Sequence, residues 1–133
     1  MPALRFYYSD TIEDFLRKPT NEIVGNLALA HAHDINQKTS MSWVEEIDIL
    51  KSALANFSGR GSVYFEYNIP RMGRRADVVA LIDGIVLVME FKTSEQEFTR
   101  ASEVQVWDYA LDLKNFQQGS RDRVLIPILV APK

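Results

Sequence analysis

The chain contains no cysteine, which excludes disulfides, thiolate metal sites and cysteine nucleophiles together and suits a reducing cytoplasm. It has no apolar run approaching a membrane span and no basic-then-apolar leader pattern, so the expectation is a soluble cytoplasmic protein. Internal repeats, low-complexity tracts and linker-like stretches are also missing. With 133 residues, 47% of them hydrophobic, there is material for one ordinary core and no room for a second full domain. Histidine occurs only at His31 and His33. Their H-x-H spacing can serve a metal on a strand, but the surroundings are polar and loop-like, so the pair is not read as a ligand set. Positive charge is not in excess either: the formal net charge is -3, which on composition alone disfavours a nucleic-acid partner.

Short periodic segments are present between the Pro and Gly positions. A first helix is expected after Pro19, with Thr20 or Asn21 as N-cap and Ile23, Val24, Leu27 and Ala30 as its apolar stripe. His31 to Met41 reads as a loop. Ser42 with Glu45 makes a capping box before the stripe Trp43, Ile47, Leu50, Leu54 and Phe57, and this second helix should end near Ser58-Gly59. Val63, Phe65, Tyr67 and Ile69 alternate with Tyr64, Glu66 and Asn68 as in a half-buried strand. Ala76 to Ile82 and Ile85 to Phe91 are further strands, joined by Asp83-Gly84, a two-residue hairpin signal. A long helix is expected from about Ala101 to Phe116. Val124 to Val130 is a last strand, and its Pro127 favours an edge position or a bulge. Trp43 and Trp107 are both expected in the core. The order describes an α/β sandwich around one mixed sheet of about four strands, with residues 1–41 as an N-terminal helical extension and 42–133 as the core.

Hairpin arithmetic places the charges. A two-residue turn at Asp83-Gly84 sets Ile82 against Ile85, and counting back sets Asp77 opposite Glu90 and Arg75 opposite Lys92. Opposed Cβ atoms lie roughly 4.5–5.5 Å apart, where two carboxylates repel unless a positive charge intervenes. Lys92, Arg75 or a divalent cation held by hard oxygen ligands would supply it. A solvent-facing ladder of salt bridges is the ordinary explanation for such a set. Here the face bearing the charges continues with Val79, Val88, Leu81 and Val86, and the other carries Val78, Met89, Ala80 and Leu87. Both faces therefore call for cover, and charges at the rim of a buried sheet mark a cleft. Glu46 falls within the apolar arc of Trp43, Leu50, Ala53 and Phe57, either as an arc-edge side chain reaching water or as a third acid of that cleft. Glu22 is its rival, although a first-turn acid stabilising the helix dipole explains it. Gln105 and Tyr109, spaced i, i+4, belong by pattern alone to an ordinary amphipathic surface. Arg71, Arg74 and Arg75 form a basic cluster that is either a solvated turn or a backbone-phosphate contact.

Asp77 followed by Glu90-Phe91-Lys92 at the end of the next strand resembles the D…ExK motif of the PD-(D/E)xK nuclease superfamily, the restriction-endonuclease-like enzymes. That family's core, helix, three strands, helix, strand, is similar to the order expected over Ser42 to Val130. Gln105 to Tyr109 is similar to the QxxxY motif of RecB-like members. The proline of the family motif is Ala76 here, a position without chemistry. The runs Glu66 to Pro70, Arg75-Ala76-Asp77 and Tyr109 to Phe116 also resemble the nuclease-like N-terminal domain of bacterial proteins carrying a P-loop DNA/RNA helicase. No glycine-rich Walker loop occurs in this sequence, so that likeness implies either a piece of a longer helicase-bearing protein or a stand-alone relative.

The resemblance implies Mg²⁺-dependent hydrolysis of DNA phosphodiesters, with Mn²⁺ able to substitute, in phage defence or DNA processing; RNA is the other substrate it allows. It implies Asp77, Glu90 and the carbonyl of Phe91 as metal ligands, and Lys92, Gln105 and Glu46 as catalytic groups. Tyr109 and the arginines Arg71, Arg74 and Arg75 would contact nucleic acid. The other reading it allows is a catalytically silent nuclease-fold module that binds nucleic acid or docks a helicase. The exposed last strand adds the expectation of a homodimer through edge pairing.

Overall fold

Asp83 and Gly84 both adopt left-handed backbone, with φ of 52° and 82°, the geometry that lets a two-residue loop match the twist of the strands it joins. The Arg60 guanidinium grips the Asp83 carboxylate, and the Asp83 N–H donates to the Arg60 carbonyl at 3.1 Å. In this computed structural model, which describes residues 5–32, 40–69, 73–91 and 124–130 together with Val104, Trp107 and Asp108, that turn sets the register of the sheet. Strand β3 (Arg74–Ile82) pairs antiparallel with β4 (Ile85–Phe91), running from Ile82 against Ile85 to Val78 against Met89. This is the register expected from the turn.

The sheet has five strands where about four were expected. The additional strand is β1 (Tyr8–Thr11), an edge strand antiparallel to β2 (Gly61–Ile69). Four residues are too few to carry a periodic signal, and β1 runs directly into the six-residue helix α1 (Ile12–Arg17), capped by the Thr11 hydroxyl accepting from the Asp14 N–H. Strand β2 pairs antiparallel with β3, and β5 (Leu125–Val130) lies parallel to β4. Pro127 is on β5, an edge of the sheet among the described residues, where a missing N–H costs little.

Helices α2 (Thr20–His31) and α3 (Ser40–Leu54) follow α1, and a 3-10 turn (Ala55–Phe57) ends the helical part. Ile23 and Leu27 of α2 and Trp43, Ile47, Leu50 and Leu54 of α3 are buried as their stripes predict. They join Ile12 and Phe15 of α1 and the helix-facing side of the sheet in one core. The segment expected to be an N-terminal extension thus supplies a strand and six core side chains, Tyr7 and Tyr8 among them. Helix α3 starts two residues before Ser42, so Ser42 stands inside the helix and the expected capping box does not define its start. Val104, Trp107 and Asp108 are helical, but Trp107 is 56% exposed. The expectation of a core Trp107 was wrong, because an aromatic on a helical stripe carries no label saying which side the protein covers.

Two core clusters reveal the two faces of the sheet. Val63, Phe65, Val78, Ala80 and Met89 pack with the helices, whereas Tyr64, Tyr67, Ile69, Ala76, Val79 and Val88 pack on the opposite face. The alternation on β2 therefore slips between Phe65 and Tyr67, and that on β3 slips between Ala76 and Val78. Val63 and Phe65 were expected to share a face with Tyr67 and Ile69; they do not. Each slip centres on an acid, Glu66 on β2 and Asp77 on β3.

Candidate metal centre

Glu66 and Asp77 lie opposite one another in register but form no ladder pair, although Phe65–Val78 on one side and Tyr67–Ala76 on the other do. The cause is local. Glu66 has φ of 54°, a left-handed conformation that costs a side-chain-bearing residue about 1–2 kcal/mol. One such residue in a strand reverses the side-chain parity beyond it, because the pleat depends on every residue being extended. The acids are thereby turned towards the helices, where α3 brings Glu46. Carboxylate oxygens of Glu46, Glu66 and Asp77 lie within 4.8 Å of one another.

This corrects the face assigned to Asp77. Strict alternation places it with Val79 and Val88, whereas its carboxylate reaches the helix side, next to Glu46. Both glutamates of the triad are buried, Glu46 at 3% exposure and Glu66 at 7%. Glu46 holds this position because it is one turn from Trp43 and Leu50 on the stripe that packs against the sheet. Glu22 is exposed in the first turn of α2.

Glu90, also buried, is joined to Asp77 by a reciprocal arrangement. The Asp77 backbone N–H donates to Glu90 Oε1 at 3.0 Å, and the Phe91 N–H donates to Asp77 Oδ2 at 2.8 Å. Beyond Val78–Met89 the ladder of backbone pairs thus gives way to side-chain carboxylates accepting the N–H groups of the facing strand. These bonds satisfy donors freed by the slip. Glu90 stands outside the triad of oxygens but in contact with it through Asp77.

Arg75 enters from the same strand. Its Nη1 donates to the Glu66 carbonyl at 2.7 Å, and its guanidinium carbon lies 4.4 Å from the centre of the Tyr7 ring. The expected site residues Lys92, Gln105, Tyr109 and Arg71 lie outside the described residues, as does the side chain of Arg74. His33 does too, while the His31 ring packs edge-on against Trp43 at 5.5 Å.

Glu66 was missed as a site residue. In the sequence it is one of three residues alternating with an apolar series, and such positions face solvent unless the strand is distorted. A signal was available: antiparallel pairing of the two strands flanking Pro70 to Gly73 sets Glu66 opposite Asp77, and two opposed acids require an explanation.

Three carboxylates from three elements, two of them nearly sealed from water, repel one another and are a set of hard oxygen donors. Such a set fits a divalent cation of the Mg²⁺ or Mn²⁺ type. Comparison of the chain with protein families, with characterised proteins and with solved structures finds no match.

Proposed function

We propose that the chain is a Mg²⁺-dependent nuclease domain with a restriction-endonuclease-like core, hydrolysing phosphodiesters of DNA. The observation that carries this reading is the convergence of Glu46, Glu66 and Asp77 within 4.8 Å, adjoining Glu90. The topology supports it: α3 packs on an antiparallel β2-β3-β4 meander, and β5 returns parallel to β4.

The acids Asp77, Glu66 and Glu46, with Glu90 and the carbonyl of Phe91, would hold the cation. A Mg²⁺ ion held there would supply positive charge to the scissile phosphate and make a bound water easier to deprotonate. The protein's own groups do the rest. Lys92, two residues beyond Glu90, would orient the attacking water and offset negative charge developing on the phosphate. Gln105 would position that water or a phosphate oxygen, with Tyr109 beside it. Arg71 and Arg74 would contact backbone phosphates, which fixes the strand without reading its sequence. The net charge of -3 does not oppose this, since the acids of the centre are those a cation would neutralise.

The test is cleavage of plasmid and of single- and double-stranded oligonucleotides, DNA and RNA, with Mg²⁺, Mn²⁺ or EDTA. Cutting should require the cation and be lost in Glu90→Ala and Lys92→Ala. Cation-dependent cutting that survives both substitutions overturns the site assignment. No cutting of any substrate, with no cation bound, returns the chain to the class of non-hydrolytic modules.

A further inference from the structure

We propose that Arg75 is a positioning residue for the acidic triad: it clamps the left-handed turn at Glu66 and so aims the Glu66 carboxylate at Glu46 and Asp77. The clamp is a claim about the fold; its consequence for a cation rests on the metal-centre reading above.

A left-handed residue within a strand rotates its own carbonyl out of the ladder, and a buried carbonyl needs a donor. Arg75 provides it at 2.7 Å. Arg75 is itself held, because its guanidinium lies over the Tyr7 ring at 4.4 Å and Tyr7 is buried. The Tyr7 N–H in turn donates to the carbonyl of Phe65, the residue before Glu66, at 2.9 Å. The loop of contacts therefore closes: Tyr7 is tied to Phe65 and carries Arg75, Arg75 is tied to Glu66, and Arg75 lies two residues from Asp77. The opposed pair that this clamp surrounds is the pair at which β2 and β3 lose their ladder. Lysine cannot replace arginine here, since it lacks the flat guanidinium that stacks on a ring while donating sideways in its own plane. A phosphate contact at the same position would retain function with lysine.

Two measurements on the full chain test this. The first is a double-mutant cycle by urea unfolding in EDTA, using Arg75→Met, Glu66→Gly and the double variant, with Glu66→Asn as a second background. Glycine and asparagine accept positive φ, so the clamp has less to hold in them. Arg75→Met should then destabilise the wild type far more than either background. Additive effects overturn the clamp. The second is Mn²⁺ binding followed by electron paramagnetic resonance, without nucleic acid. Arg75→Met and Arg75→Lys, shown folded by circular dichroism, should each weaken Mn²⁺ at least tenfold. Unchanged affinity in both overturns the aiming of Glu66 by Arg75. A wild type that binds no Mn²⁺ defeats the metal-centre reading instead, and the cycle still decides the clamp.

Discussion

Glu46→Gln should make the cation-free protein more stable and deprive it of its response to a cation. Two full charges at the triad's limiting separation of 4.8 Å repel by about 3.5 kcal/mol at an effective dielectric of about 20. Glu46 takes part in two such pairs, with Glu66 and with Asp77. Each acid also has further interactions, and the net gain expected on neutralising Glu46 is about 1–3 kcal/mol. Glutamine preserves the shape, and its amide can donate to the two remaining carboxylates. In the wild type, a bound cation at a hundred times its dissociation constant would add about 2.7 kcal/mol, which in a domain of this size would raise the unfolding midpoint by about 10 °C. Thermal unfolding of both proteins in EDTA and in a Mn²⁺ series reads the two effects together. The wild type should start lower and climb with Mn²⁺, while the variant should start higher and stay level. A Glu46→Gln protein less stable than wild type in EDTA, or one that climbs equally with Mn²⁺, refutes the idea that these acids repel in order to share a cation.

Three further outcomes are expected away from the centre. Asp10 loses solvation on burial, but donors from Lys18 at 2.6 Å and Tyr8 at 2.8 Å outweigh that cost and hold its carboxyl below the ordinary range. Its stabilisation is therefore complete above the unfolded value near 3.9 and is lost as pH falls through the lower folded value, so Asp10→Asn should flatten the acid limb of a stability-pH curve; an unchanged limb refutes the assignment. Phe15 is fully buried and packs on Phe65 at 5.7 Å. Phe15→Ala should cost about 3–5 kcal/mol in urea unfolding, and the amides of α1, too short to persist alone, should lose their hydrogen-exchange protection first. A Cβ at Gly61 would lie 1.7 Å from the Leu81 carbonyl oxygen, so Gly61→Ala must part β2 from β3 and should cost at least about 3 kcal/mol; a variant as stable as the wild type refutes that close approach.

The local parts of the fold were legible where one residue or one period decides them. Asp83-Gly84 specified its turn because few other residues accept two successive positive φ angles, and from it followed the register of β3 on β4. The stripes of α2 and α3 predicted Ile23, Leu27, Trp43, Ile47 and Leu50 as core, because a helix of this length buries one face. The same wheel placed Glu46 in the buried arc. Strand β1 and helix α1 were illegible: they are too short for a period to emerge, and packing of Ile12 and Phe15 holds them in place.

Sequence alone thus determined the mixed α/β architecture, the hairpin and the neighbourhood of Asp77 and Glu90, since these depend on local backbone preference and on which residues avoid water. Tertiary structure decided the site itself. The left-handed turn at Glu66 is unfavourable for the isolated strand and appears only where Arg75, Tyr7 and the facing strand enforce it. That single turn reverses the parity of β2 and, with the matching slip on β3, carries Glu66 and Asp77 to the face where α3 supplies Glu46. A periodic reading assumes an unbroken pleat, and the acids come together where the pleat is broken.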